Sequence, residues 1–293
     1  MKGIILAGGK GSRLYPVTLG TCKQLLPVFD KPLIYYPLAV LMQAGIKEIL
    51  IISTPEDKSR FQALFHDGAH LGLSISYAVQ HLPKGIAEPF VIGADFISKD
   101  SVALILGDNL FYGHHLPDVV RPCTDLTQGA IVFGYEVQDP HRYGVIAFDD
   151  DGHVKEILEK PKDPPSSYAV TRLYFYDNSV IDIARQLKLS QRGEYEITDV
   201  NVAYLQKKQL QVRLLERGFA WLDTGTHDAL QKASTYVQTL QERQGIKIAC
   251  LEEIAYQLGF ISFEQLEALA AQVSSCEYGT YLQKICTKGA FSI

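Results

Sequence analysis

Short apolar runs at residues 3–6, 48–53, 75–79, 102–106 and 130–135 punctuate the first half of the chain, with longer helix-compatible segments between them. A strand with one wet face alternates apolar and polar side chains, whereas these runs are apolar almost throughout, as strands buried on both faces are. The helical pattern is clearest over residues 32–44, where Asp30 stands near the start, Pro32 opens the first turn and Gly45 follows the end. A second helix is expected over 56–65, with Thr54-Pro55 as its start signal. Strands alternating with helices in this order predict an α/β fold on a doubly wound, mostly parallel mixed sheet.

Beyond residue 130 the strands crowd together. A hairpin turn is expected at Asp149-Asp150-Asp151-Gly152, with strands over 153–159 and 168–176. Helices are expected over 178–188, 197–207 and 226–244, and shorter ones over 251–273. The loop over 162–167 is too short to separate independent domains. The expected organisation is one α/β domain over 1–245, with a β-rich part at about 130–220, followed by C-terminal helices over 246–293 that form an appendage and not a domain of their own.

Lys and Arg number 28 against 33 Asp and Glu, a net charge of −5, which disfavours partners such as a nucleic acid polymer or an anionic membrane. Any polyanionic ligand must therefore meet a local cluster of positive charge. The five cysteines are odd in number and lack CxxC spacing, so neither a disulfide framework nor a structural zinc site is expected, and a reducing cytoplasm is the expected location. No apolar run approaches the ~18 residues needed to span a bilayer.

The first apolar run leads straight into Gly8-Gly9-Lys10-Gly11-Ser12-Arg13-Leu14. Glycines there let backbone N–H groups turn toward phosphate oxygens, although a strand-to-helix turn without a ligand fits the same residues. Leu14 stands where a dinucleotide fingerprint needs its third glycine, and the Gly-Lys-Ser/Thr of a P-loop is absent. What sets this loop apart is Arg13, followed by Lys23-Gln24-Leu25-Leu26-Pro27. A planar guanidinium fork and a compact ammonium charge together suit a triphosphate.

Further along come Asp30-Lys31-Pro32, Leu106-Gly107-Asp108-Asn109, Arg142-Tyr143-Gly144-Val145, Glu159-Lys160-Pro161, Glu196-Ile197-Thr198-Asp199 and a Trp-Leu-Asp-Thr-Gly-Thr-His run at 221–227. In this order the chain resembles the sugar-1-phosphate nucleotidylyltransferases over nearly its whole length, and within them the thymidylyltransferases that act on glucose 1-phosphate. The resemblance implies the Rossmann-like nucleotide-diphospho-sugar transferase fold. It implies transfer of a thymidylyl group from dTTP to glucose 1-phosphate, giving dTDP-glucose and pyrophosphate, as the first step toward dTDP-rhamnose and related deoxysugars.

The resemblance also assigns roles. Arg13, Lys23, Asp108 and Asp223 carry catalysis, and Asp108 and Asp223 hold Mg²⁺, whose preference for hard carboxylate oxygens fits them. Read alone, each aspartate fits a turn or cap equally. Gly8, Gly9, Gly11, Ser12, Arg13, Lys23, Gln24, Gln80, Gly85 and Asp108 bind the nucleotide. Gln80 offers one acceptor and one donor to the thymine edge, and Gly85 approaches by its backbone. Gly144, Glu159, Lys160 and Val170 take the sugar phosphate, although an exposed ion pair is the plain reading of Glu159-Lys160. Tyr143 and Tyr174 are read as walls of that pocket. A homotetramer is implied, with feedback by dTDP-rhamnose at Gly113, His114, Arg217, Cys250 and Glu253; read alone, the histidine segment is a polar loop and Cys250 a small buried hydrophobe.

Two departures from the family pattern stand near these positions. Glu88-Pro89 replaces the usual Gln-Ala, which puts a carboxylate beside the nucleotide, and Arg172 replaces a glycine next to the sugar pocket, where it either clasps phosphate or faces solvent. Residues 287–293 match nothing in the family. The rival readings are the same chemistry on another sugar 1-phosphate or with UTP or dUTP, a non-catalytic sugar-nucleotide sensor, and a nicotinamide-dependent oxidoreductase, the last disfavoured by the broken fingerprint.

Overall fold

The computed structural model describes residues 1–9 and 11–288. Eleven strands carry the architecture: β1 (Lys2–Ala7), β2 (Glu48–Ser53), β3 (Ser74–Val79), β4 (Val102–Leu106), β5 (Asn109–Tyr112), β6 (Ala130–Glu136), β7 (Gly144–Phe148), β8 (Val154–Glu159), β9 (Tyr168–Tyr176), β10 (Leu210–Leu214) and β11 (Ala220–Asp223). Nine of them form one sheet in the order β8-β7-β9-β4-β1-β2-β3, with β6 paired to both β9 and β10. The strands of the first half, β4-β1-β2-β3, run parallel. The pairings of β9 with β4, β6 and β7 are antiparallel, as is the β7–β8 hairpin. The remaining two strands, β5 and β11, make a separate antiparallel ribbon.

The apolar runs form strands because both faces of the sheet are covered. Ile5, Ile51 and Ile105 belong to one core, while their chain neighbours Ile4, Leu50 and Leu104 belong to the other. Each fully buried aliphatic side chain contributes ~1.5–3 kcal/mol relative to exposure, so interrupting such a run with a charge on either face is costly. Tyr174 and Tyr176, both buried, extend the second core through β9 and stack on one another, with ring centroids 6.1 Å apart.

The helix expected over 32–44 begins at Tyr35 instead, because Lys31–Pro32 first pairs with Pro27–Val28 and Leu33 N–H donates to Leu26 O. Asp30 is consequently no cap. Its carboxylate lies 2.5 Å from Lys31 Nζ and 2.8 Å from Lys247 Nζ, and also accepts from Gln241 Nε2 at 3.2 Å. The helix Pro55–Phe65 is capped by Thr54, whose hydroxyl accepts from Asp57 N. The helix expected over 178–188 is confined to Val180–Gln186, and the segment 251–273 splits into Leu251–Gln257 and Phe263–Gln272.

The helix Leu251–Gln257 lies against Tyr35–Gln43 and the two helices after it pack on it in turn, with Ile254, Leu266 and Leu282 in the same core as Leu38 and Leu41. Among the described residues, no helix is long and apolar enough to cross a membrane. The end of the chain from 289 onward, which includes most of the segment that matches no family pattern, lies outside the described residues.

Candidate active site at the carboxyl edge of the sheet

Strands β1 and β4 are parallel neighbours, so the residues after both emerge together, and Gly107 N–H donates to Leu6 O at 2.9 Å. Ligands of open α/β sheets collect at this edge. Gly8 and Gly9 thus stand beside Gly107 and Asp108. A Cβ on Gly11, at φ 60°, would lie 2.9 Å from the Thr18 methyl and 3.4 Å from Lys23 Cβ, so glycine there is what lets the loop close on the lysine segment. Ser12 and Arg13 follow in a short exposed turn, and Lys10 lies outside the described residues.

Lys23 is buried, and its ammonium group contacts the Asp108 carboxylate. Asn109 Nδ2 donates to the other carboxylate oxygen at 2.7 Å, and Trp221 Nε1 donates to Asn109 Oδ1 at 2.8 Å. Burial alone would push the Asp108 carboxyl up, but the adjoining Lys23 charge overrides it and holds the group below the usual carboxylate range. Gln24, the next residue, has a buried Oε1 with no partner among the described residues.

The ribbon delivers the second aspartate. Its register sets Asp223 opposite Asn109, and Thr224 Oγ1 donates to Asp108 O at 2.8 Å, so two aspartates 115 residues apart in the chain are brought to one place. No hydrogen bond from a described residue ends on the Asp223 carboxylate. Arg13 arrives from the other side. A Cβ on Gly225 would meet Arg13 Nη2 at 2.8 Å and Asp223 Oδ1 at 3.0 Å, so this glycine leaves the space that the guanidinium occupies. A lysine-held carboxylate beside one without a hydrogen-bond partner is an oxygen donor set suited to a hard divalent cation.

The sugar-side residues converge on β7. A Cβ on Gly144 would lie 3.2 Å from Thr198 Oγ1, 3.6 Å from Glu159 Oε2 and 3.8 Å from Val170 Cβ. Thr198 donates to Glu159 Oε2 at 2.5 Å and Arg192 to Glu159 Oε1 at 3.3 Å. The chain bends after Glu159, with Lys160 at φ 44° and its N–H donating to Tyr143 O, so the two neighbours are not sent to opposite faces. Lys160 Nζ comes 3.6 Å from Glu159 Oε1, so the plain ion pair is also present.

Arg172 does not face bulk solvent. The β9 register slips between Val170 and Tyr174, and this irregularity carries Arg172 to within 6.0 Å of the Tyr143 ring and close to the Tyr174 hydroxyl. Burial disfavours its charge, but Tyr174, Asp223, Glu159 and Asp108 together hold it firmly protonated. Burial raises the Tyr174 hydroxyl to about 12, against the pull of Arg172, and raises Tyr143 as well, so both remain neutral wall residues.

Gln80 lies beside the glycine loop. Gln80 is buried, and its Oε1 lies 2.4 Å from where a Cβ on Gly8 would sit. Gly85, at φ 120°, is pressed against the Tyr195 backbone, whose carbonyl oxygen would be 2.3 Å from a Cβ. The other departure, Glu88, accepts from Gln80 Nε2 at 2.7 Å. Sequence reasoning missed Thr198 and Arg192 as partners of Glu159. The Glu-Ile-Thr-Asp motif signalled the first, and nothing in the pattern signalled the second.

Residues 2–239 match the family described as nucleotidyl transferases. The chain belongs to this family. It is 55% identical to a glucose-1-phosphate thymidylyltransferase of Xanthomonas campestris, over 99% of this chain and 98% of that one. It is 54% identical to an enzyme of the same name from Neisseria meningitidis, over 98% of this chain and 100% of that one. A Bacillus anthracis structure, provisionally given the same name and crystallised with sucrose, superposes with a TM-score of 0.74 at 43% identity, over 80% of this chain and 94% of that one. The nucleotidyl transferase fold thus accounts for the mixed sheet.

A separate cavity of about 390 Å³ lies where the C-terminal helices meet the ribbon, lined by Tyr112, Gly113, His114, Lys247, Glu253 and Tyr281 among others. Three of the five residues expected at a regulatory site therefore share one cavity. Cys250 is buried one residue beyond its Ala249 wall, and Arg217 is exposed in the loop leading to Phe219, whose ring covers Gly113. The exposed group Asp149, Asp151 and His153 belongs to the β7–β8 turn, where Asp149 accepts from the backbone of the other two.

Proposed function

We propose that the chain transfers the thymidylyl group of dTTP to glucose 1-phosphate, releasing pyrophosphate. The observation that carries this reading is the register that sets Asp223 beside Asn109, which joins two carboxylates to Lys23 and Arg13 at one edge of the sheet. The names of the full-length relatives supply the substrates.

A phosphate monoester has its second pKa near ~6, so the attacking oxygen of the sugar phosphate is ionised at neutral pH and no general base is required. A bond forms from that oxygen to the α-phosphorus as the bond to the bridging oxygen of the β-phosphate breaks, and the electron pair leaves with pyrophosphate. Lys23 and Arg13 neutralise charge as it shifts onto the leaving group. The glycine loop, Ser12 and Gln24 hold the triphosphate and sugar, Gln24 with an acceptor that has no partner among the described residues and is ready for a hydroxyl. Glu159, with Lys160, Gly144 and Val170, orients the glucose phosphate for in-line attack. Asp108 and Asp223 are the residues that would hold Mg²⁺, which when bound supplies further charge neutralisation at the phosphates.

The enzyme acts in the cytoplasm as a homotetramer, and dTDP-rhamnose binds the cavity beside Glu253. Pyrophosphate release from a panel of nucleoside triphosphates and sugar 1-phosphates, with and without Mg²⁺, tests the reaction. Release with dTTP and glucose 1-phosphate is expected, and silence with that pair sinks it. Light scattering tests the assembly. Initial rates unchanged at saturating dTDP-rhamnose would remove the regulatory proposal.

A further inference from the structure

A glutamine side chain ends in two groups of nearly equal shape and opposite hydrogen-bonding sense, so which of them faces a ligand depends on what holds the other. Glu88 settles this for Gln80. Its carboxylate Oε2 takes the Gln80 amide nitrogen at 2.7 Å and the Lys84 backbone N–H at 3.3 Å. An ionised carboxylate only accepts, so turning the amide over would set two acceptors against each other in a position where Gln80 is just 3% exposed. The Gln80 carbonyl oxygen is left beside Gly8, accepting no hydrogen bond from a described residue, with the second amide N–H next to it.

We propose that Glu88 is a specificity-determining positioning residue, which fixes the polarity of Gln80 so that the site accepts pyrimidines with a protonated N3 and rejects cytosine. Thymine and uracil present an N–H beside a carbonyl oxygen, which complements the fixed carbonyl and the remaining N–H. Cytosine presents an unprotonated nitrogen beside an amino group, so both contacts are mismatched. The device reads the pairing edge and is blind to the 5-methyl group. It rests on the nucleotide-binding role proposed above for Gln80.

The test is a comparison of kcat/KM for dTTP and dCTP, by pyrophosphate release with glucose 1-phosphate, in wild type, Glu88→Leu and Glu88→Ala. Leucine or alanine at position 88 offers no acceptor, so both settings of Gln80 become available. In each variant the dTTP-to-dCTP ratio is expected to fall at least about tenfold, through a gain with dCTP. The ratio is taken on one sample, so misfolded protein cancels from it. A ratio that stays constant, whether rates hold or fall together, overturns the proposal and leaves Glu88 a structural residue. Wild type inactive with every pyrimidine triphosphate overturns the proposed reaction as well, and the wild-type series alone reveals that case.

Discussion

Lys23 and Asp108, 85 residues apart in the chain, form an ion pair where the first and fourth strands end. The lysine is held at the centre of the site by a carboxylate that is itself fixed by Asn109, and Asn109 in turn by Trp221. Such a preorganised charge needs no reorganisation when a phosphate oxygen arrives. Lys23→Ala is therefore expected to lower kcat on the order of 10²- to 10³-fold. Steady-state kinetics on the folded variant check this, and a loss under threefold would take Lys23 out of the mechanism.

The Asp223 carboxylate has no hydrogen-bond partner among the described residues, so its replacement should spare the fold and strike the metal. Asp223→Asn is expected to need roughly tenfold to a hundredfold more Mg²⁺ for half-maximal rate, in the range seen when metal-site groups are altered. A Mg²⁺ titration of initial rate, alongside a thermal melt close to wild type, would show it. An unshifted titration midpoint would place the cation elsewhere.

Arg172 projects from the irregular part of β9 toward Tyr143 and Tyr174, on the side of the site where Gly144 and Glu159 meet. Charge-assisted hydrogen bonds are worth ~1.5–3 kcal/mol, so Arg172→Gly should raise KM for glucose 1-phosphate by roughly tenfold or more, with a much smaller effect on KM for dTTP. Equal changes in both constants would argue against a role confined to the sugar phosphate.

Asp30 ties the C-terminal helices to the segment that follows the lysine loop. Burial pushes its carboxyl up, but Lys31 and Lys247 outweigh that and hold it below its ordinary value of 3.8. A carboxyl depressed on folding stabilises the protein fully above its unfolded pKa and loses that contribution as the pH falls through the folded one. Asp30→Asn should therefore cost about 3 kcal/mol at neutral pH, and the difference in Tm from wild type should narrow only below the ordinary carboxylate value. Melts across pH 3 to 8 measure the difference (roughly the span over which most proteins are most stable and below it), and a difference that is constant throughout would mean that the cluster is not linked to ionisation.

Much of this is legible in the sequence. The apolar runs marked β1, β2, β3, β4 and β6 within a residue or so, because strands buried on both faces have few polar residues to confuse the pattern. The start of Tyr35–Gln43 was misplaced because Lys31–Pro32 takes part in a pairing that no local signal announces. Strands β5, β10 and β11 escaped for a related reason: their partners are distant in sequence and their composition is mixed. At the site, Arg13, Lys23, Asp108 and Asp223 were expected together and lie together. The orientation of Arg172 depends on a register slip, and the bond from Gln80 to Glu88 on a loop path, and neither leaves a trace in spacing.

The ribbon of β5 and β11 also has a consequence for synthesis. Asp108 leaves the ribosome well before Asp223, and its neighbour Asn109 gains its strand partner only once residues 220–223 have emerged. A nascent polypeptide that has already folded its parallel strands therefore still lacks the second carboxylate of the proposed cation site, and every premature stop upstream of that aspartate leaves the pair incomplete.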